Sequence, residues 1–173
     1  EKDSKQMRNI TIAKLNKTDK GQFVDALDGV YEESPWVPER AYADRPFNSI
    51  NDVAKTLEAV VREASYDQKL ALLRAHPDLG EQTEMTDASE AEQASAGLDQ
   101  LSPELYNAFQ RLNQQYRERF GFPFIKAVKG HSSKEIREAM EQRVTHSQAE
   151  EFNTALAEVH TIARLRLNNM LVA

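Results

Sequence analysis

Four serine-led patterns between residues 65 and 150 constrain the fold of this chain more than any other feature. In each pattern, a serine is followed three residues later by glutamate or glutamine. This is the spacing of a capping box, in which the two side chains satisfy backbone N–H groups that the first turn of a helix leaves without partners. The patterns predict at least four helix starts: SYDQ from Ser65, SEAE from Ser89, SSKE from Ser132 and SQAE from Ser147.

The spacing of apolar residues also favours helices. Two stripes of apolar residues occur with the spacing of three or four positions that is typical of a helix. Alternating patterns rich in β-branched residues, which would predict strands, are absent. Gly121 should end the second stripe, because glycine readily adopts the left-handed conformation found after a helix C-terminus. The stripes are Val53, Leu57, Val60 and Val61, then Leu105, Phe109, Leu112 and Tyr116.

We therefore predict an all-α fold, a single compact multi-helix domain with irregular segments rich in proline and aromatic residues. The 173 residues match the size of one domain. The polar, patternless stretch at residues 1–6 precedes Met7, and we interpret it as an expression leader. Residues 7–173 then form the helical domain.

Charge and composition exclude several classes of function. The formal net charge is -6, and the sequence has no run of basic residues. Neither nucleic acid nor a membrane surface is therefore an expected partner. The absence of cysteine excludes disulfides, thiolate nucleophiles and redox dithiols, and with them the helical hydroperoxide reductases. No apolar run approaches the roughly 18 residues of a membrane span, and no signal peptide is evident, so we expect a cytoplasmic protein.

Two segments combine prolines with bulky aromatic residues: Ser34 to Phe47 and Phe120 to Gly130. Proline disfavours regular helix, so both segments should be irregular. Their aromatic side chains then close the ends of the helical bundle or line a cleft. Burial in the core is the simpler interpretation for Trp36, Phe122 and Phe124 taken singly.

His76 lies in LLRAHPDLG, between a helical pattern and a proline. Pro77 disfavours the helical conformation of the preceding residue, so the helix should end at or just before His76. The imidazole would then lie near the negative end of the helix dipole, which favours the protonated ring. Two interpretations remain open: His76 caps the last carbonyl groups, or it binds a carboxylate and transfers a proton.

Glu92 is the fourth residue of the box SEAE, which also allows two interpretations. Its side chain either folds back on the amide of Ser89 or faces a ligand beside the exposed backbone donors of a helix start. The pattern alone does not separate them.

Arg166 lies in the gap of an apolar seam along the last helical pattern. That position faces inward, where a guanidinium is costly without an anion. Arg164 instead shares its face with polar residues and should point to solvent. The anion for Arg166 is either a carboxylate from another helix or a substrate. The seam comprises Phe152, Leu156, Val159, Ala163 and Met170.

Motifs of several large enzyme classes are absent. The sequence has no GxxxxGKS/T, GxGxxG, HExxH or GxSxG motif and no histidine pair at metal-ligand spacing. His131, His146 and His160 are expected on polar surfaces. What remains is a helical domain with one histidine, one glutamate and one inward arginine, which suits proton transfer on an anionic small molecule.

Six short blocks nevertheless occur in a fixed order, and together they resemble the 2-oxo-4-hydroxy-4-carboxy-5-ureidoimidazoline (OHCU) decarboxylase family of uric acid degradation. HPDLG alone would be weak evidence, whereas six ordered blocks spanning about Phe23 to Leu171 are strong. The blocks are SPW from Ser34, RPF from Arg45, HPDLG from His76, SEAEQASAGL from Ser89, FGFPFI from Phe120 and EVHTIARLRL from Glu158.

The resemblance implies an all-helical decarboxylase that yields (S)-allantoin, uses no cofactor or metal and usually forms a homodimer. The catalytic residues of the family fall on His76, Glu92 and Arg166. RLRL also offers Arg164, but the seam favours Arg166. The 16-residue spacing between His76 and Glu92 is shorter than in many members. Further substrate contacts are expected at Pro77, Ser89, Gln93, Phe122, Phe124 and Ile125.

We hypothesise that His76 acts on the departing carboxylate and transfers a proton, that Glu92 bonds the ring or hydroxyl, and that Arg166 clamps a carbonyl or developing anion. Two alternatives remain open. The chain could be a helical protein-interaction module without catalysis, or a cofactor-free lyase acting on another ring carboxylate.

Overall fold

Helices dominate the computed structural model, which describes residues 9–81 and 84–173. This confirms the all-α prediction, while the predicted leader at residues 1–6 lies outside the described residues. Among the described helices, none is long and apolar enough to span a membrane. The elements are β1 (Ile10–Thr11), α1 (Ile12–Leu15), α2 (Lys20–Ala26), α3 (Trp36–Ala41), a 3-10 turn (Tyr42–Asp44), α4 (Ile50–Glu63), α5 (Tyr66–Arg74), α6 (Asp87–Ser95), α7 (Pro103–Phe120), α8 (Ser133–Arg143), α9 (Gln148–Met170) and β2 (Leu171–Val172).

Three of the four predicted capping boxes start helices. At α5, α8 and α9, the backbone N–H of the third helical residue donates to the serine hydroxyl at 3.2 Å, and the glutamine or glutamate reaches back to the serine amide. These reciprocal bonds satisfy donors that the first turn would otherwise expose. The confirmed boxes begin at Ser65, Ser132 and Ser147.

The predicted stripes and helix end agree with the structure. Val53, Leu57 and Val61 are buried on α4, whereas Val60 is half-buried. α7 ends at Phe120 because Gly121 adopts φ +81°, a left-handed conformation that costs glycine little.

One expectation about the proline segments is wrong. Residues 36–41 form the regular helix α3, with Pro38 in its first turn. Proline is tolerated there because the first N–H groups of a helix have no intrahelical acceptor. The segment from Gly121 to Ser132 is irregular, as predicted.

The described residues form two compact units, 9–72 with 160–173 and 73–159. In the first unit, β1 pairs in parallel with β2, so that Ile10 lies opposite Leu171. The side chain of Asn16 also bonds the backbone N–H and carbonyl of Phe47, each at 2.8 Å. The core of this unit includes Leu15, Phe23, Leu27, Val37, Val53, Leu57 and Val61.

The second unit contains a carboxylate with no exposed surface, that of Glu151 on α9. It accepts hydrogen bonds from the Tyr116 hydroxyl on α7 and from Arg143 Nε on α8, the latter at 2.8 Å. His146 Nδ1 lies 2.9 Å from its other oxygen. Arg143 also donates to the Ile125 carbonyl at 2.8 Å, so one buried charge connects three helices and an irregular segment.

We predict that Glu151→Ala lowers the free energy of unfolding by about 3–5 kcal/mol, because it leaves the Arg143 guanidinium buried without its counter-charge. Urea denaturation of the purified protein measures this value. The matched control is Glu138→Ala on the exposed surface of α8, with an expected change within about 0.5 kcal/mol. Similar losses for the two variants would contradict the prediction.

Two of the three histidines expected on polar surfaces lie elsewhere. His131 is exposed, but His146 contacts buried Glu151, and His160 is half-buried with Nδ1 2.8 Å from the Tyr31 hydroxyl. Burial lowers the pKa of His160, and the Arg62 and Arg164 cations act in the same direction, whereas Glu58 opposes them. Burial also raises the pKa of Tyr31 well above its usual range, so this pair is neutral.

We predict that His160 makes the first unit sensitive to acid. Below the ordinary histidine pKa of about 6.5, the unfolded chain takes up a proton that the folded chain resists, so stability falls with pH. His160→Gln removes this titration, and its Tm should fall less than that of the wild type between about pH 7 and pH 5. The control His131→Gln should keep most of the wild-type slope. Equal slopes for His160→Gln and the wild type would rule out this role.

Candidate active site

His76 lies just beyond the end of α5, as predicted. The helix ends at Arg74, and the backbone N–H of His76 donates to the Leu73 carbonyl at 3.2 Å. Pro77 follows directly and prevents the helix from continuing through His76. The side chain is buried, with the residue 7% exposed. The structure therefore places the His76 imidazole in a buried position just beyond a helix end.

The turn after His76 is held by side chains from other elements. Gly80 N–H donates to Gln93 Oε1 at 2.9 Å, and Gln93 Nε2 donates to the Asp78 carbonyl at 3.3 Å. Gly80 has φ +78°, and a Cβ there would lie 2.9 Å from a methyl carbon of Leu101. The positive φ favours glycine at this position, and a Cβ would also require the Leu101 side chain to shift.

Charged groups surround the same turn. Arg117 Nε lies 2.7 Å from Asp78 Oδ1, and this carboxylate is largely buried. Burial raises the pKa of the neighbouring Glu81, and the charge of Asp78 adds to the effect, while Arg117 opposes it. The turn thus carries a close carboxyl pair beside one guanidinium.

The predicted capping role of Glu92 is wrong. α6 begins at Asp87, and its cap is Thr86, whose hydroxyl accepts the Ser89 N–H at 3.3 Å. Ser89 is consequently buried inside the first turn, and Glu92 lies within the helix, half-buried. Ser89, Glu92 and Gln93 are three and four positions apart, so they share one face of α6.

The segment FGFPFI provides a buried aromatic wall in the second unit. Phe122, Phe124 and Ile125 are at most 2% exposed. The Phe122 ring lies 5.9 Å from Tyr116 and 6.1 Å from Phe152, and the Phe124 ring lies 5.5 Å from Tyr116. The predicted core position of both phenylalanines is confirmed.

Arg166, on the part of α9 that belongs to the first unit, is 5% exposed and faces inward, as predicted. Its Nη2 lies 3.0 Å from Glu32 Oε2, and its Nη1 donates to the Gly29 carbonyl at 2.7 Å. A carboxylate of the protein therefore supplies an anion to Arg166. It comes from a turn rather than from another helix.

The predicted seam on α9 is displaced. Phe152, Leu156 and Met170 are only half-buried. The helix buries a broader face than a single line of apolar residues. The buried residues of this helix are Glu151, Ala155, Val159, Ile162, Ala163, Arg166 and Leu167.

Arg164, the alternative to Arg166, has a 40% exposed side chain. Its Nε lies 2.7 Å from Glu58 Oε1, and its Nη1 donates to Asn51 Oδ1 at 2.9 Å. Burial therefore separates the two arginines as the seam argument expected.

Comparisons with known proteins assign the chain to a family. The family model described as OHCU decarboxylase matches residues 16–168. The 2-oxo-4-hydroxy-4-carboxy-5-ureidoimidazoline decarboxylase of Haloferax volcanii is 58% identical over 161 residues, which cover 93% of this chain and 96% of the relative. The chain belongs to the OHCU decarboxylase family.

Further comparisons agree with this family. The protein of the same name from Halalkalicoccus jeotgali is 54% identical over 166 residues, covering 96% of this chain and 94% of that protein. Among solved structures, a crystal structure of (S)-allantoin synthase has a TM-score of 0.78 at 32% identity. The match covers 94% of this chain and 54% of that one.

Within the family-matched region, the structure groups the predicted residues by unit. His76, Pro77, Ser89, Glu92, Gln93, Phe122, Phe124 and Ile125 belong to the second unit, and Arg166 belongs to the first. Among the described residues, no cluster of three or more histidine, aspartate or glutamate side chains is arranged to hold a metal ion.

Sequence reasoning did not identify Glu32, the buried partner of Arg166. It is 2% exposed and pairs with Arg166, yet it precedes SPW in a polar stretch without helical periodicity. No local pattern distinguishes it from exposed Glu33. Only the fold reveals which of two consecutive glutamates is buried.

We predict that two arginine–glutamate pairs on α9 differ in their contribution to stability. Glu32→Ala leaves Arg166 buried without its carboxylate and should lower the free energy of unfolding by about 3–5 kcal/mol. Glu58→Ala breaks the partly exposed pair with Arg164 and should cost about 0–1 kcal/mol. Urea denaturation measures both variants, and equal losses would refute the distinction.

Proposed function

We propose that His76, Glu92 and Arg166 catalyse the decarboxylation of 2-oxo-4-hydroxy-4-carboxy-5-ureidoimidazoline to (S)-allantoin. This is the reaction of urate breakdown that belongs to the family of this chain. The observation that carries the proposal is the family match across residues 16–168, which contains all three residues. The burial of His76 and Arg166 supports it, since charged and titratable groups are rarely buried without a reason.

The chemistry of the substrate defines what the residues must do. The leaving carboxylate is attached to a carbon that bears a hydroxyl and adjoins a C=N bond. When the bond to the carboxylate breaks, carbon dioxide departs and the electron pair moves toward the imine nitrogen. Loss of carbon dioxide leaves an enol, because the two ring carbons become doubly bonded and the former imine nitrogen takes up a proton. A proton must then reach the carbon of the former C=N bond from one face to give a single enantiomer, while the hydroxyl loses its proton and becomes a carbonyl. The protein has to hold the ring, exclude water and direct that proton.

His76 is the proposed proton-transfer group. Its buried ring at the end of α5 would lie against the departing carboxylate and the neighbouring hydroxyl. Removal of water from the carboxylate raises the free energy of the charged ground state and favours loss of carbon dioxide. In this proposal the ring bonds the carboxylate first and supplies the proton afterwards.

Arg166 and Glu92 are proposed to orient the ring. Arg166 would donate to a carbonyl or to the developing anion, and its planar guanidinium is held in place by Glu32 and Gly29. Because Glu32 offsets the charge of Arg166, the main contribution of the guanidinium is directional. Glu92 would hydrogen-bond the ring or its hydroxyl from the middle of α6.

The remaining predicted contacts complete the proposed pocket. Phe122, Phe124 and Ile125 would exclude water, and Pro77 and Ser89 would border the ring. Gln93 stays a proposed substrate contact, although its amide also holds the turn of residues 78–80. We further propose that residues 7–173 act as one domain and that the protein is cytoplasmic. The family resemblance also implies a homodimer, which we include in the proposal.

We predict that the purified protein converts freshly generated substrate to optically active allantoin, followed by circular dichroism. His76→Ala should lower kcat at least about 100-fold, because it removes the proposed proton-transfer group. Arg166→Ala should also lower kcat. The control Arg164→Ala, two positions along the same helix, should retain near wild-type activity.

Different outcomes separate the alternatives. Full activity of His76→Ala would overturn its assignment but not the reaction. A wild-type protein that leaves this substrate untouched and converts another ring carboxylate would favour a different lyase. No turnover of either substrate would favour an interaction module.

A further inference from the structure

Residues 78–80 form the turn that follows His76 and Pro77, and their backbone has no regular secondary structure to hold it. Gln93 bonds two of its backbone groups, and Arg117 pairs with the side chain of Asp78. One further bond comes from α7: Asn113 Nδ2 donates to the Leu79 carbonyl at 2.9 Å. Asn113 is 3% exposed.

We propose that Asn113 is a positioning residue for His76. This inference rests on the proposed function, in which His76 transfers the proton. By holding the Leu79 carbonyl, Asn113 fixes the far end of the turn against α7. His76, which precedes the turn, is fixed where its N–H bonds the Leu73 carbonyl. The segment from His76 to Gly80 is therefore held at both ends.

The short distance along the chain couples Leu79 to His76. Only Pro77 and Asp78 lie between them, and consecutive Cα atoms are about 3.8 Å apart, so a displaced Leu79 carbonyl moves its neighbours. Pro77 has a fixed φ near about −65° and cannot absorb the displacement by rotation. A shift of Leu79 should thus reach the imidazole of His76.

Asn113 makes the bond to the Leu79 carbonyl from a buried side chain. Leucine would fill a similar volume, but it would leave the buried Leu79 carbonyl without the Asn113 donor, and a buried acceptor without a partner destabilises the folded state. The bond to Leu79 is therefore what distinguishes asparagine from an apolar residue of similar size at this position.

The test compares Asn113→Leu with Asn107→Leu, which changes an exposed asparagine on the same helix. Asn113→Leu leaves the buried Leu79 carbonyl without its donor, so the Tm should fall, and kcat is measured at a temperature where the variant is folded. Its kcat should fall about 10- to 100-fold, since a misplaced catalytic group loses rate steeply, while KM changes much less. Asn107→Leu should match the wild type in kcat, KM and Tm.

A second variant, Asn113→Asp, keeps the shape and makes the donor depend on pH. A protonated carboxyl can donate to the Leu79 carbonyl, whereas a carboxylate cannot. The ratio of variant kcat to wild-type kcat should therefore rise as the pH falls. His76, Asp78, Glu81 and Arg117 lie on or against the turn in both proteins, so the ratio removes their own titration.

Two results would overturn the inference: a folded Asn113→Leu variant with wild-type kcat, or a pH-independent ratio for Asn113→Asp. The second result decides the matter if Asn113→Leu does not fold. Both leave the proposed function intact as long as the wild type forms allantoin and His76→Ala does not. A wild type without decarboxylase activity would instead refute the proposed function.

Discussion

The packing of the second unit depends on the interactions of one buried carboxylate, that of Glu151. Tyr116, Arg143 and His146 contact its two oxygens, and they come from α7, α8 and the turn before α9. A charge without solvent contact is stable only when such partners surround it. Arg143 extends the cluster to the Ile125 carbonyl, and the same guanidinium lies 4.3 Å over the Phe124 ring. Arg143 therefore contacts both the Glu151 carboxylate and two residues of the aromatic wall, Phe124 and Ile125.

The first unit uses the same principle at Arg166. Its guanidinium bonds the Glu32 carboxylate and the Gly29 carbonyl, so the side chain is oriented before any ligand arrives. Groups that are held in place beforehand lose less entropy on binding and direct their donors better. The sequence did not predict the burial of Glu32, because that burial depends on the packing of a turn and not on a repeating pattern.

Local patterns predicted the helices well, and the failures have identifiable causes. The boxes at Ser65, Ser132 and Ser147 start helices, but the box at Ser89 does not, because Thr86 caps the same helix one turn earlier. A helix start at Thr86 and one at Ser89 both satisfy local hydrogen bonding. The structure uses Thr86, and Ser89 is buried in the first turn. The helix through Pro38 was missed because proline breaks a helix only beyond its first turn.

By itself, the sequence determined where α5, α8 and α9 begin and where α7 ends, that His76 lies at a helix end and that Arg166 faces inward. These features depend on residues within about one or two turns of the chain. Only the tertiary structure decided the partner of each buried charge: Glu32 and Gly29 for Arg166, Tyr116 and Arg143 for Glu151, and Asn113 for the turn after His76. Those partners lie up to 137 positions apart, and their pairing depends on how the helices pack rather than on local periodicity.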